Sequence, residues 1–176
     1  KIQDAMGIPD DKIRSSENTL KYFELSNKYD SPFFCIHPRT KEQLFSGNAN
    51  WNEIEKLSKL DRKFLLIGNG DINLYKAYKN IENINVDGVM LARGIVGNPF
   101  LIKEIKEDKK YIKNIDEVKK LVLEHLELLA NDKNEFVSSM QINKFLKGYF
   151  KDFDVDVKKI IQSEDYNKKK KLISEL

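Results

Sequence analysis

Three short apolar segments of the chain each run into a polar or glycine-containing cluster, and these clusters hold the side chains best suited to chemistry. The segments are "FFCI" (33–36), "FLLI" (64–67) and "GVML" (88–91). Backbone N–H groups left unhindered by glycine and the guanidinium group of Arg93 are donors that suit an anionic ligand such as a phosphate. The candidate residues are His37, Arg39, Asn69, Gly70, Asp71, Ala92, Arg93 and Gly94.

The segments that carry these clusters are predicted to be neighbouring strands of a parallel sheet. They are apolar throughout, a pattern typical of strands buried on both faces. Functional groups in such α/β proteins gather at the carboxyl ends of the strands. We therefore expect one shared site, in which Gly68, Gly70 and Gly94 let the backbone approach a ligand. The helix predicted directly after Gly94 would offer N–H donors to a phosphate, beside the charge of Arg93.

Each cluster is a weak signal when it is taken alone. Asn-Gly-Asp is a common turn, and a histidine such as His37 is more often a hydrogen-bonded structural residue than a catalytic one. Three such endings on consecutive predicted strands favour a ligand site over three unrelated turns.

Segments with helical spacing surround the predicted strands and then replace them. Before residue 110 they lie at about 16–29, 51–60 and 72–83, which gives a strand–helix alternation. Beyond it only helices are predicted, over 115–132 with Asn114 as N-cap, and at about 136–153, 157–162 and 167–176. The sequence therefore predicts an α/β domain over 1–108 and an all-α domain over 109–176.

Composition limits the class of protein without assigning a function. The chain has 176 residues, a net charge of +3 and a single cysteine. One cysteine excludes an internal disulfide framework and favours a reducing, cytoplasmic location, and no apolar run approaches the roughly 20 residues of a membrane span. We predict no metal site and no membrane partner.

Three linked motifs make the chain similar to the tRNA-dihydrouridine synthases, which are flavin enzymes built on a TIM barrel with a helical C-terminal domain. "HPRTKEQLFSGNANW" (37–51) resembles the family's H-x-R-T-x-x-Q-x-Y-x-G-x-A-x-W, with Phe45 in place of Tyr. "IGNGDI" (67–72) and "DGVMLARGIVGNPFL" (87–101) resemble its two later strand endings.

The resemblance implies FMN as cofactor and assigns contacts to it. His37 would lie against the isoalloxazine ring, the Asn-Gly-Asp tripeptide would line the ribityl and phosphate side, and Ala92 to Gly94 would grip the phosphate. Lys1 in "KIQ" would be the family's flavin-contacting lysine. The implied cofactor contacts are Lys1, His37, Asn69, Gly70, Asp71, Ala92, Arg93 and Gly94.

The resemblance also implies tRNA as substrate and NADPH as reductant. The family reduces the C5=C6 bond of a uridine, which must leave its stack to reach the flavin. "NKFLKGYFKD" (143–152) is similar to the family's R-K-H-x-x-W-Y-x-K-G, and it departs at four positions. The implied tRNA contacts are Arg39, Lys144 and Lys151. Lys168–Lys171 could also meet phosphates.

By the resemblance, the first domain corresponds to the second half of a (β/α)8 barrel. We expect the family's catalytic cysteine to lie upstream of Lys1, so no catalytic residue is assigned here, and Cys35 is predicted to be a buried strand residue. We expect the 176 residues alone to lack synthase activity and to dimerise or pair with a missing N-terminal half-barrel. Two alternatives stay open: an RNA-binding protein without chemistry, and another FMN barrel oxidoreductase acting on a small molecule.

Overall fold

The structure, a computed structural model, describes residues 12–40, 42–44 and 46–176. By its internal contacts the chain divides into two compact units, one ending at Gly94 and one comprising Ile95–Leu176. This division falls earlier than the boundary predicted after residue 108, because Phe100 and Leu101 are buried and Phe100 belongs to the helical core. The two-domain assignment itself stays a prediction.

The first unit alternates helices with the strands of one parallel sheet. Its strands lie side by side in chain order, with Phe33 opposite Leu65 and Ile67 opposite Gly88. The α/β class predicted from the sequence is therefore confirmed, whereas closure of such a sheet into a barrel stays a prediction. The elements are α1 (Lys12–Lys28), β1 (Phe33–Ile36), α2 (Trp51–Ser58), β2 (Leu65–Asn69), α3 (Tyr75–Lys79) and β3 (Gly88–Met90).

The two faces of this sheet differ in burial. One face packs against α1 and α2 around a core that includes Phe23, Ile54 and Leu66. On the other face, Phe33 and Leu65 are more than half exposed. The prediction of burial on both faces is therefore wrong for the second face, because the described residues of this unit cover the first face alone.

The connections between the elements are tighter than the sequence pattern predicts. The helix expected over 72–83 is regular only within α3, after which the N–H groups of Ile81 and Ile84 bond three residues back, to Tyr78 and Ile81 (2.9 and 3.0 Å). Likewise, β3 is followed by a single 3₁₀ turn, Arg93–Ile95, and the next α-helix begins only at Phe100. The helix N-terminus predicted directly after Gly94 is therefore wrong.

The second unit is built from helices alone among its described elements. Asn114 caps the helix that begins at Ile115 by accepting a hydrogen bond from the N–H of Asp116 (2.8 Å), which confirms the predicted cap. Buried residues such as Val122, Leu126 and Leu146 form its core. The helices are α4 (Phe100–Lys106), α5 (Ile115–Asp132), α6 (Glu135–Gln141), α7 (Asn143–Tyr149), α8 (Val157–Ile161) and α9 (Tyr166–Ser174).

The single helix predicted over 136–153 is interrupted at Ile142. In a continuous helix the N–H of Asn143 would bond the carbonyl of Ser139. Here the ammonium of Lys169 donates to that carbonyl (2.5 Å) and to Oδ1 of Asn143 (2.6 Å). An inserted side chain of this kind is a known cause of helix breaks, and it separates α6 from α7.

Within the described ranges, the structure contains no helix that combines the length and the apolar character required to cross a membrane.

Candidate ligand site at the carboxyl ends of the strands

The segment that follows β1 folds back over the end of β2, and His37 makes the first contact. Its Nδ1 lies 2.9 Å from the backbone oxygen of Asn69. A carbonyl oxygen only accepts hydrogen bonds, so Nδ1 carries the proton. In the neutral ring Nε2 is then an acceptor, and the His37 side chain is exposed. The structure thus brings together two of the predicted site residues.

Arg39 and Asp71 form an ion pair that closes the same segment onto β2. Nη2 of Arg39 donates to both carboxylate oxygens of Asp71 (2.6 and 2.8 Å) and to the carbonyl of Gly47 (2.9 Å). The backbone N–H of Ala49 donates to Asp71 as well (2.6 Å). The Arg39 side chain is only 4% exposed. This arrangement does not offer Arg39 to an external phosphate, in contrast to its predicted role as a tRNA contact.

The surroundings of Asp71 stabilise its ionised form. Burial raises the pKa of this carboxyl, but the hydrogen bond from Ala49 and the bond and charge of Arg39 outweigh burial, and the charge of Arg93 adds to them. The pKa of Asp71 is consequently lowered. The parallel register, with Asn69 opposite Met90, places the endings of β2 and β3 at one edge of the sheet, as predicted.

Trp51 is the fourth residue of the motif segment to reach β2. Its indole N–H donates to the carbonyl of Gly70 (2.9 Å), and its ring covers Gly68. A Cβ added at Gly68 would lie 2.6 Å from two ring carbons of Trp51. The sequence placed Trp51 in a predicted helix and at the end of the motif, and assigned it no contact at the site. Its place two residues after the Ala of the motif was the signal that could have linked it to the site.

The three glycines have a packing role that was not predicted for them. A Cβ at Gly70 would lie 2.6 Å from Cβ of Ala49, and one at Gly94 would overlap the carbonyl oxygen of Ile72. Together with Gly68, which the Trp51 ring covers, they allow close packing within the protein, and their approach to a ligand stays a prediction. Gly70 also has φ +143°, a conformation that side chains disfavour.

The Thr and Gln of the motif segment organise the turn between its contacts. The N–H of Thr40 donates to Oε1 of Gln43 (2.9 Å), and the N–H of Gln43 donates to Oγ1 of Thr40 (3.4 Å). These reciprocal bonds resemble those of a capping box. They shape the turn between Arg39 and Ala49, which both bond to Asp71.

The outer rim of the site is formed by the end of β3 and by the exposed face of the sheet. Ala92 and Arg93 are both exposed. Met90 lies between two neighbours, with the amide nitrogen of Asn69 3.4 Å and Sγ of Cys35 3.9 Å from its sulfur. Cys35 is half-buried in mid-strand, and burial raises the pKa of its thiol. No role for Met90 was predicted from the sequence.

The two predicted tRNA contacts in the helical unit are on its surface. Lys144 and Lys151 are exposed, and the ammonium of Lys144 lies 4.8 Å from the ring centre of Phe145. Lys169, in contrast, is completely buried, and Lys170 pairs with Glu127 (2.6 Å). The basic run 168–171 therefore presents fewer free charges than the sequence suggested.

The last two predictions concern Lys1 and metal binding. Lys1 lies outside the described residues. Among the residues that are described, no group of three or more His, Cys, Asp or Glu side chains could hold a metal ion.

The fold and site define an α/β protein in which the motif segment 37–51 is hydrogen-bonded to residues 69–71, at the carboxyl end of a parallel sheet. The sequence profile of the family described as dihydrouridine synthase matches residues 6–175. The chain therefore belongs to the dihydrouridine synthase family, whose fold is a TIM barrel, and the resemblance found in its motifs is confirmed.

Individual relatives agree with this membership. Over 146 residues the chain is 32% identical to a Rickettsia conorii protein named "Probable tRNA-dihydrouridine synthase", which covers 80% of this chain and 43% of that protein. An Aquifex aeolicus protein of the same name is 31% identical over 151 residues, covering 81% and 48%. "Probable tRNA-dihydrouridine synthase 1" of Synechocystis is 30% identical over 158 residues, covering 86% and 43%. The chain spans less than half the length of these relatives.

Proposed function

We propose that this chain contributes the FMN-contacting strand ends and an RNA-binding helical region to a tRNA-dihydrouridine synthase. The enzyme would reduce the C5=C6 bond of a uridine in tRNA, with NADPH as reductant. The observation that carries the proposal is the convergence of His37, Arg39, Ala49 and Trp51 on residues 69–71. This convergence gives a physical reason for the motif that the chain shares with its family.

The residues at this edge fit a flavin mononucleotide in the kinds of group they offer. His37 has an exposed ring with Nε2 available as an acceptor, and Asn69 has a half-buried amide. Arg93 supplies an exposed guanidinium that suits a phosphate dianion. When bound, FMN would supply a hydride to the C5=C6 bond of the uridine, a cysteine thiol would supply the proton that completes the reduction, and NADPH would restore reduced FMN. The protein's own residues bind and orient the ring and its phosphate.

Cys35 is not the proton donor in this proposal. Its thiol lies in mid-strand, 3.9 Å from the sulfur of Met90, and burial raises the pKa of this thiol, which makes it a weaker acid for proton transfer to a base. We propose that the activity depends on a cysteine other than Cys35, and that the 176 residues alone do not reduce tRNA.

Substrate contact is assigned to the helical unit. Lys144 and Lys151 are exposed at the ends of one short stretch that includes α7. Folded RNA is recognised mainly through its shape and its phosphates, for which such lysines are suited.

Cofactor binding is tested by comparing FMN with riboflavin, which lacks the phosphate. Both ligands are titrated into the 176-residue chain while flavin fluorescence is followed. Arg93→Ala should weaken FMN binding by about 10-fold or more, the worth of a charged hydrogen bond, and leave riboflavin binding unchanged. Lys63→Ala, at an exposed lysine of the same unit, is the matched control. An unchanged FMN-to-riboflavin ratio in Arg93→Ala would refute the assignment of Arg93.

RNA binding is tested by the salt dependence of tRNA affinity. Each phosphate contact contributes about 0.7–0.9 to the slope of log K against log salt. The double variant Lys144→Ala/Lys151→Ala should lower that slope, and Lys120→Ala, at an exposed lysine of α5, should not. Binding of tRNA without FMN would favour an RNA-binding protein without chemistry. Binding of FMN without tRNA would favour another FMN oxidoreductase.

A further inference from the structure

Both oxygens of the Asp71 carboxylate accept hydrogen bonds from within the protein. Arg39 bonds both of its oxygens, and the N–H of Ala49 bonds one of them. A carboxylate held in this way has little capacity left for a ribityl hydroxyl, and a negative charge beside a phosphate would oppose binding. The predicted direct contact between Asp71 and the cofactor therefore has little chemical support.

The backbone at Asp71 shows what the ion pair holds in place. Asp71 has φ +58° and Gly70 has φ +143°, so two consecutive residues depart from the usual negative φ region. A non-glycine residue in the left-handed region persists where surrounding contacts hold it. Arg39, Ala49 and Trp51 supply such contacts, and Trp51 acts on the carbonyl of Gly70.

The same turn fixes His37. The carbonyl of Asn69 directly precedes Gly70, and it accepts the Nδ1 proton of His37. Gly70 packs against the ring as well, since a Cβ there would lie 3.2 Å from Nδ1. A shift of the turn would therefore release the ring and its tautomer together.

We propose that Arg39 and Asp71 are a positioning pair: they hold the turn at 69–71 so that His37 keeps its proton on Nδ1 and presents Nε2 to the ligand. Neither side chain then touches the cofactor or tRNA. The identity of the ligand rests on the proposed function, whereas the coupling of the ion pair to His37 does not.

The first test reads the His37 tautomer directly. The chain has two histidines, so ¹⁵N-labelled protein gives a simple spectrum at a pH where both rings are neutral. Wild-type His37 should show a protonated Nδ1. Asp71→Asn should shift the population towards the Nε2-protonated form, which is favoured in free histidine. Asparagine tolerates the left-handed conformation, so this substitution removes mainly the charge.

Asp30→Asn is the matched control. It is the same substitution at another left-handed aspartate of this unit (φ 49°), exposed at the end of α1, and it should leave His37 unchanged. His125 should also keep its signals in every variant. If Asp71→Asn does not fold, as judged by its spectrum, Arg39→Gln removes the pair from the other side and should give the same shift. Retention of the Nδ1 proton in a folded variant of either kind would overturn the proposal.

The second test separates positioning from contact with tRNA. Arg39→Gln should weaken FMN binding and leave the salt slope of tRNA binding unchanged. The double variant with Asp71→Asn should be no worse than either single variant, because the pair acts as a unit. A lower salt slope in Arg39→Gln would show a phosphate contact and refute positioning. If the wild-type chain binds neither FMN nor tRNA, the proposed function fails, and the tautomer experiment still decides this inference.

Discussion

We expect the stability of the helical unit to depend strongly on the side chain of Lys169. This side chain is completely buried, and its ammonium bonds the Ser139 carbonyl and the Asn143 amide oxygen. Lys169→Met keeps most of the volume and removes both bonds. The Ser139 carbonyl can regain a partner if Asn143 closes the helical ladder, but the Asn143 side chain then loses its present geometry.

The magnitude follows from the groups left unpaired. A buried acceptor without a donor destabilises by about 1–3 kcal/mol, and relief of the buried charge offsets part of this. We expect Lys169→Met to destabilise the unit by roughly 2 kcal/mol. For a domain of under 100 residues this lowers the melting temperature by about 8–16 °C. Circular dichroism melts of the 176-residue chain measure it, with Lys168→Met, at an exposed neighbour, as control.

The buried charge of Lys169 also affects how the stability of the helical unit depends on pH. Burial lowers the pKa of Lys169 below its usual value of 10.5. Between the lowered value and 10.5 the unfolded chain binds more protons than the folded one, so this group makes stability rise with pH in that window. Lys169→Met should remove that rise. A variant as stable as wild type, with an unchanged alkaline profile, would show that neither the bonds nor the buried charge matter.

Two further predictions concern single contacts. Gly68→Ala should destabilise the first unit by about 1–3 kcal/mol, the usual effect of overpacking, because the new Cβ meets the Trp51 ring at 2.6 Å. Urea unfolding measures it, and Gly88→Ala, whose Cβ would meet only the flexible end of a side chain at 3.2 Å, should change stability less; equal effects would contradict the steric argument. Burial and the charge of Lys144 lower the pKa of His125 below 6.5, so its contribution to stability is complete above 6.5 and is lost as pH falls through the lowered value. His125→Gln should flatten that part of the stability–pH curve, and a profile that follows wild type would refute the assignment.

Local sequence signals predicted the elements well where local forces decide them. "FFCI" forms a strand over the predicted residues, and Asn114 caps the predicted helix. The parallel order of the strands followed from apolar segments alternating with helical ones. The same reasoning overextended the helix at 136–153, because its break depends on Lys169, a residue distant in the chain.

At the candidate site, the sequence predicted which residues come together at one edge of the sheet but not what most of them contact. The three strand endings share one edge, as spacing and sheet geometry required. Arg39, however, is paired with Asp71, and protein atoms occupy the space that a side chain at Gly68, Gly70 or Gly94 would need. Such partners depend on side-chain packing between segments distant in the chain, and the spacing of residues within one segment does not predict it.

The contact between Trp51 and Gly68 limits the order in which these two positions can be substituted during evolution. A ring and the empty space that accommodates it form a single steric unit, although 17 positions separate them in the chain. Ala49 and Gly70 form a second unit of this kind. If Trp51 is first replaced by a smaller residue, position 68 can then accept a larger side chain. If Gly68 is enlarged first, the Trp51 ring is displaced from its present position. Substitutions at these paired positions are expected to arise in a fixed order, with the loss of volume before the gain.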